Sequence, residues 1–236
     1  MQLNPPRSMI ESISNMPKGT GRLAFQCLNT VLKEHKVGLK ALDFGCGIGR
    51  SSRILKETGF DVTGVDISID LLNEATSKKD DINYQLIQKN EYDFSKTGKN
   101  FDLIMLSFVL MEISSLKEIA QILTGLKKIL SFNGKVVIIA ASNSLYHGQW
   151  KSIDTNYPQN KQASSGDIVK VFLKDYKLEI SDYLWTEEDC ELLFYQAGLK
   201  VLEKLLPLAK SNDGEWEDEL TTPPFVIYIL ASDGIK

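Results

Sequence analysis

Apolar positions along this chain switch repeatedly between a helical period and the unbroken runs of buried strands. Over residues 20 to 35, Leu23, Cys27, Leu28, Val31 and Leu32 share one helical face. "LKALDF" reads as a buried strand and runs into a glycine loop. "RSSRILKET" reads as a helix stopped by Gly59. "DVTGVDI" is a second strand, and Ser68 stands where it can cap the helix "IDLLNEATSKK". "INYQLIQ" reads as a third strand. "FDLIMLSFV" reads as a fourth, nearly all apolar as a central parallel strand should be. Leu116, Ile119, Ala120, Leu123, Leu126, Ile129 and Leu130 then follow a 3.6-residue period. Asn133-Gly134 is expected to end that helix, with "KVVIIAA" as the fifth strand. Five alternations of strand and helix imply a parallel, doubly wound α/β sheet with helices on both faces. Ligands of such a sheet sit at the carboxyl ends of its strands.

The alternation stops after Ala141. Residues 142 to 166 are polar, with Tyr146, His147, Trp150 and Tyr157 interspersed. "DIVKVFLKDYKLEISDYLW" reads as one or two extra strands with a turn near Lys174-Asp175. Thr186 opens a helix with Asp189 three residues on, a capping-box pattern, and Gly198 closes it. "LKVLEKLL" and "FVIYILAS" are the last strands, separated by an acidic loop. The reading is one domain over residues 1–236, with an amino-terminal helical cap at 1–37 and an insertion at 142–185 over the ligand end.

Composition narrows the function classes. With 236 residues the chain buries a core without staples, and its net charge of −4 without Lys/Arg clusters argues against nucleic acid. Lys78-Lys79 and Lys127-Lys128 read as solvated helix faces. Cys27, Cys46 and Cys190 are odd in number and far apart, so neither a disulfide framework nor a zinc spacing arises, and a reducing, cytoplasmic setting is expected. The start "MQLNPPRSMI" lacks a basic segment followed by an apolar core, and runs such as "VVIIAA" are too short to span a bilayer. No membrane partner is expected.

The chemistry concentrates in "ALDFGCGIGRSS". A glycine-rich loop brings backbone close to a ligand, and the helix behind it offers free N–H groups. In dinucleotide folds those donors hold a pyrophosphate. Asp43 would repel that anion and favour a cation, and S-adenosylmethionine carries an ammonium and a sulfonium. Arg50 also stands where the dinucleotide spacing has its last glycine. Asp66, about 20 residues on, suits ribose hydroxyls, a need common to NAD and S-adenosylmethionine.

These segments resemble the class I S-adenosylmethionine-dependent methyltransferases. "ALDFGCGIG" is similar to their first motif and "VTGVDIS" to their second. "KNEYDF" before "FDLIMLSFVLMEI" resembles the adenine region and fourth-strand motif, and "ILSFNGKVVIIA" the fifth-strand segment. The match covers residues 38 to 141 well and the remainder weakly. The resemblance implies a Rossmann-like seven-stranded sheet, mostly parallel, with a reversed last strand. It implies that Gly45, Cys46 and Gly47 meet the methionine part, that Asp43 positions the ammonium, and that Asp66 holds the ribose with Ile67 against the adenine. Asn90 stands where the family usually has Asp, so Asn90 or Glu91 would meet the adenine amino group. Ser107 and Phe108 would lie beside the cofactor. The cofactor expected is S-adenosylmethionine.

The acceptor is expected to be a small molecule methylated on nitrogen or oxygen. Alternatives are a protein or peptide, for which Asp213 to Glu219 could greet a basic tail, and a binding module without chemistry. His147 follows the fifth strand and is either a general base or polar surface. Tyr146, Trp150, Tyr183 and Trp185 line an acceptor pocket or anchor the insertion. Cys46 reads as a small loop residue, since nothing suggests an adjacent base. Asn4-Pro5-Pro6 is similar to a motif of nucleic-acid amino methyltransferases. It lies at the wrong place for that role and lacks the aromatic.

Overall fold

The computed structural model describes residues 19–234; the first part of the expected amino-terminal cap, including Asn4-Pro5-Pro6, lies outside them. Two short helices, α1 (Gly19–Gln26) and α2 (Leu28–Glu34), meet at Cys27. One continuous helix was expected there. Cys27 keeps φ −95°, ψ −5°, so the path stays nearly helical and Leu23, Leu28, Val31 and Leu32 remain on one buried face.

The main sheet follows in register with the apolar pattern. It contains β1 (Lys40–Phe44), β2 (Asp61–Asp66), β3 (Asn83–Leu86), β4 (Phe101–Ser107), β5 (Leu130–Ala141), β9 (Leu199–Leu205) and β10 (Phe225–Ser232). Their order is β3-β2-β1-β4-β5-β10-β9, and β10 runs antiparallel to both neighbours. The doubly wound, seven-stranded sheet with a reversed last strand is therefore present. Its helices are α3 (Arg50–Glu57), α4 (Ile69–Ser77), α5 (Leu116–Ile129) and α6 (Glu187–Gln196).

Side chains of a strand alternate between faces, and here both faces are dry. Leu103, Met105, Val137 and Ile139 pack into a core with α1, α2 and α3. Ile104, Leu106, Val136 and Ile138 pack into a second core with α5 and α6. Burial on both sides is why β4 and β5 read as apolar runs rather than as alternation. The Thr186 capping box forms as expected.

One boundary differs. Helix α5 stops at Ile129, and Asn133-Gly134 falls inside β5 rather than ending the helix. The pairing of β4 with β5 is irregular between Phe101 and Leu103. A Cβ at Gly134 would meet Leu130 and the Phe101 carbonyl at 2.8 Å, so the glycine serves a close strand approach instead of a helix stop.

The segment 142–185 builds a separate antiparallel sheet in the order β6-β7-β8, with β6 (Ile153–Asp154), β7 (Ile168–Leu173) and β8 (Leu178–Tyr183). Buried Asn160 ties it together. Its amide donates to the Thr155 and Lys170 carbonyls at 2.9 and 2.8 Å, and its oxygen accepts from the Lys170 N–H at 2.9 Å. Glu219, fully buried, joins two distant segments to its own loop by accepting from the Thr20 hydroxyl at 2.6 Å, the Lys151 N–H at 2.8 Å and the Glu217 N–H at 2.9 Å.

Candidate functional site

The carboxyl ends of β1, β2 and β4 bring most of the expected site together. Leaving β1, the chain turns at once: the Gly45 and Cys46 N–H groups donate to the Val65 carbonyl at 2.9 and 3.0 Å. Gly45 needs φ +69°, and a Cβ there would come within 2.6 Å of Val109, so only glycine fits. Gly47 donates its N–H to Asp66 Oδ2 at 2.9 Å, while the Ser68 N–H donates to Oδ1 at 2.8 Å. Asp66 therefore clamps the glycine loop to the start of α4. Burial pushes its pKa up and these N–H bonds pull it back. A carboxylate oxygen has two lone pairs, so each keeps capacity for one further donor.

Asp43 is completely buried at the end of β1. Its Oδ2 accepts from the hydroxyls of Ser51 and Ser52 at 2.7 and 2.5 Å, both from the first turn of α3. Its Oδ1 has no partner. Burial raises the pKa to about 6, against the lowering effect of the two serines. Arg50, the first residue of α3, shows the complementary deficit: Nε and Nη2 are buried without an acceptor. Burial lowers its pKa, and the neighbouring Tyr176 acts against that shift. In the sequence Arg50 stands where the dinucleotide motif has its last glycine, and it closes the segment "GIGR", which is similar to the loop of protein amino-terminal methyltransferases.

Cys46 is buried, and burial drives its thiol pKa well up, which suits a small loop residue. Ile67 is half-buried at the end of β2. The Ile87 N–H donates to the Asp66 carbonyl at 3.0 Å, so the loop after β3 starts beside Asp66. On that loop Asn90 is exposed at φ +66° and accepts from the Tyr92 hydroxyl at 3.4 Å, while Glu91 pairs with Lys96 at 3.1 Å. Their polar groups face local partners at the rim. At the end of β4 the Ser107 hydroxyl is buried and unpartnered. Phe108 sits at φ +61°, an uncommon conformation for a bulky residue. Its ring stands edge-on to Phe25 and Phe225, with centroids 5.8 and 5.2 Å away.

Beyond β5, Tyr146 is buried and its hydroxyl donates to Asp182 Oδ2 of β8 at 3.1 Å. Asp182 is 5% exposed. Burial and the field of Glu112 push its pKa up to about 7. Glu112 lies on the short turn Leu110–Glu112 after β4, is itself pushed up by burial, and feels Asp66 as well. A line of carboxylates thus runs from Asp66 through Glu112 to Asp182 on β8, and neither Asp182 nor Glu112 stands in a recognisable sequence pattern. Trp150 is buried and donates its indole N–H to the Leu145 carbonyl at 2.7 Å, anchoring the insertion. Trp185 donates to the Ile113 carbonyl at 2.9 Å. Tyr183 is half-buried, and His147 is exposed in the turn after β5. The acidic stretch is used internally in part: Asp213 pairs with Arg22 at 3.5 Å, Asp218 accepts from the Gln149 N–H at 2.8 Å, and Glu219 is buried. Among the described residues no helix is long and apolar enough to cross a membrane.

A doubly wound sheet with a glycine loop after β1 and an acid ending β2 defines a nucleoside-binding α/β protein. Residues 41–134 match the family profile described as a methyltransferase domain. The probable S-adenosyl-L-methionine-dependent methyltransferase TehB of Haemophilus influenzae is 34% identical over 110 residues, 44% of this chain and 37% of that protein. The demethylmenaquinone methyltransferase of Tropheryma whipplei is 29% identical over 106 residues, 45% of this chain and 43% of that protein. The chain spans about two fifths of the length of the curated relatives it matches. A solved S-adenosylmethionine-dependent methyltransferase from Clostridium acetobutylicum shares the fold, with a TM-score of 0.64 over 96% of this chain and 97% of that one at 15% identity. Residues 41–134 are thus similar to methyltransferase domains, and the whole chain shares its fold with a solved S-adenosylmethionine-dependent methyltransferase.

Proposed function

We propose that this chain transfers the methyl group of S-adenosylmethionine to a small-molecule acceptor, through nitrogen or oxygen, by direct displacement. One observation carries the reading. The glycine-loop segment holds two buried deficits of opposite kind, an acceptor without a donor at Asp43 Oδ1 and donors without an acceptor at Arg50 Nε and Nη2. An amino-acid zwitterion satisfies both. A pyrophosphate satisfies only Arg50 and is repelled by Asp43. The cofactor, when bound, supplies a methyl group already made electrophilic by the sulfonium.

The chain's own work is then to bind, orient and dry the site. Asp66 accepts the ribose hydroxyls with its remaining lone pairs, and Gly45, Cys46 and Gly47 give backbone contact. Ile67 covers the adenine face, Asn90 or Glu91 meets the adenine edge, and Ser107 and Phe108 close the β4 side. A cation beside Asp43 stabilises its ionised form, so a fraction of a proton leaves on binding near pH 6. Holding the acceptor in line can supply ~7–11 kcal/mol of the barrier. We assign the acceptor's side to Tyr146, Tyr183 and the Asp182 carboxylate, with Asp182 as proton acceptor and His147 at the exposed rim. The internal use of Asp213, Asp218 and Glu219 favours a small acceptor over a basic peptide tail. The name of the demethylmenaquinone relative points the same way. The test is incubation with methyl-labelled S-adenosylmethionine and a metabolite extract. Label in a low-mass product is expected. Label only in added protein or peptide, or none anywhere, contradicts the reading.

A further inference from the structure

The glycine loop is braced from the side of β3. Tyr84 of β3 stands directly opposite Gly64 of β2, and a Cβ at Gly64 would meet the Tyr84 ring at 2.7 Å. A strand bare at that point lets the ring lean over β2. The Cys46 thiol of the loop shares the same space, 3.1 Å from where that Cβ would stand. The lean carries the Tyr84 hydroxyl to the far end of the loop, where a Cβ at Gly49 would collide with it. There the hydroxyl donates to Asp80 Oδ2 at 3.0 Å. The same oxygen accepts from Arg53 Nη1 at 3.4 Å, and that nitrogen also donates to the Ile48 carbonyl of the loop at 3.0 Å. The Arg53 and Asp80 side chains are mostly buried.

Three separate elements thus converge on one loop carbonyl: α3 through Arg53, the connection from α4 to β3 through Asp80, and β3 through Tyr84. Two glycines, one in β2 and one in the loop, leave the room that a single side chain needs. We infer that Arg53, Asp80 and Tyr84 form one positioning unit that fixes the glycine loop in the shape that receives S-adenosylmethionine. The inference goes beyond the proposed function and rests on its cofactor. All three act through Ile48 and Gly49, and none is among the groups assigned to the cofactor itself. Tyr84 works only through Asp80, so the two side chains should behave as one.

The test is isothermal titration of S-adenosylmethionine, without acceptor, into the wild type, Tyr84→Phe, Asp80→Asn, their double variant and Thr58→Ala, with thermal unfolding of each. Thr58 supplies the comparison, because its hydroxyl donates to the Ile54 carbonyl at 2.7 Å at the other end of α3. Each single variant of the unit should raise the Kd about three- to tenfold. The double variant should lie within about twofold of the weaker single one, since the two changes break one contact. Thr58→Ala should lower Tm and leave the Kd within about twofold of wild type. Hydrogen exchange on the ligand-free protein supplies a second readout: the amides of Gly47 and Gly49 should exchange faster in Tyr84→Phe and Asp80→Asn and not in Thr58→Ala. Wild-type affinity in both folded single variants, effects that multiply in the double variant, or equal weakening in Thr58→Ala at equal loss of Tm overturns the inference while leaving cofactor binding intact. If the wild type does not bind S-adenosylmethionine, the proposed function falls, whereas unchanged exchange at Gly47 and Gly49 sinks the inference by itself.

Discussion

Replacing Asp66 by Asn separates what this residue does for the fold from what it does for a ligand. The side chain is 1% exposed, and its two oxygens each accept one backbone N–H, from Gly47 at 2.9 Å and Ser68 at 2.8 Å. An amide keeps one accepting oxygen and turns an NH₂ toward the other N–H. One charge-assisted bond worth ~1.5–3 kcal/mol is lost, offset in part because a buried charge disappears. A net destabilisation of about 1–2 kcal/mol should lower Tm by roughly 2–8 °C in a domain of this size. The effect on binding should be larger than the effect on stability suggests. The ribose hydroxyls lose an anionic acceptor, so the Kd for S-adenosylmethionine should rise at least about tenfold in the folded variant. Thermal unfolding and isothermal titration on the same preparation measure both. Ser68→Ala weakens the cap on the Leu71 N–H, a 3.4 Å bond, while leaving the carboxylate in place. It should cost stability without cofactor affinity. A folded Asp66→Asn protein with wild-type affinity would refute the ribose assignment.

Two further outcomes follow from the buried acids. Asp43 and Asp182 titrate at about 6 and about 7 when folded, above their ordinary value of 3.8, so the folded state holds protons that the unfolded state has released. Their contribution is complete below pH ~4 and is lost as pH rises toward 7, so chemical denaturation should show stability falling over that window, on the order of a few kcal/mol, with a shallower slope in Asp182→Asn. A slope unchanged in that variant would show that Asp182 is not the group responsible. In turnover assays Asp182→Asn should lower kcat by ~100-fold and remove an ionisation near neutral pH, whereas exposed His147→Ala should stay within about threefold of wild type. The opposite pattern would make His147 the proton acceptor.

Much of this architecture is written locally in the chain. β4 and β5 announce themselves because both faces are buried, and Ser68 and Thr186 cap their helices through side chains three residues from their targets. Asp43, the glycine loop and Asp66 are legible for the same reason: a strand end and the loop after it carry the whole pattern. What depends on distant packing is not legible. Asn133-Gly134 has the form of a helix stop, yet the approach of Leu130 and Phe101 draws it into β5. Arg50 becomes informative only when Tyr176 arrives from the hairpin, and Asp182 only when Tyr146 and the turn after β4 close over it. Trp150 and Tyr146 look alike as aromatics of a polar stretch. Burial separates them, Trp150 bonded to its own chain at Leu145 and Tyr146 to the Asp182 carboxylate.

The central claim is that the paired deficits at Asp43 and Arg50 select an amino-acid zwitterion over a pyrophosphate. Competition titration tests it most directly, with S-adenosylmethionine and NAD measured against the same protein at one pH and salt concentration. The account predicts saturable binding of S-adenosylmethionine and of S-adenosylhomocysteine, which shares the zwitterion and lacks the methyl, with no displacement of either by NAD. Saturable binding of NAD with none of S-adenosylmethionine would contradict it.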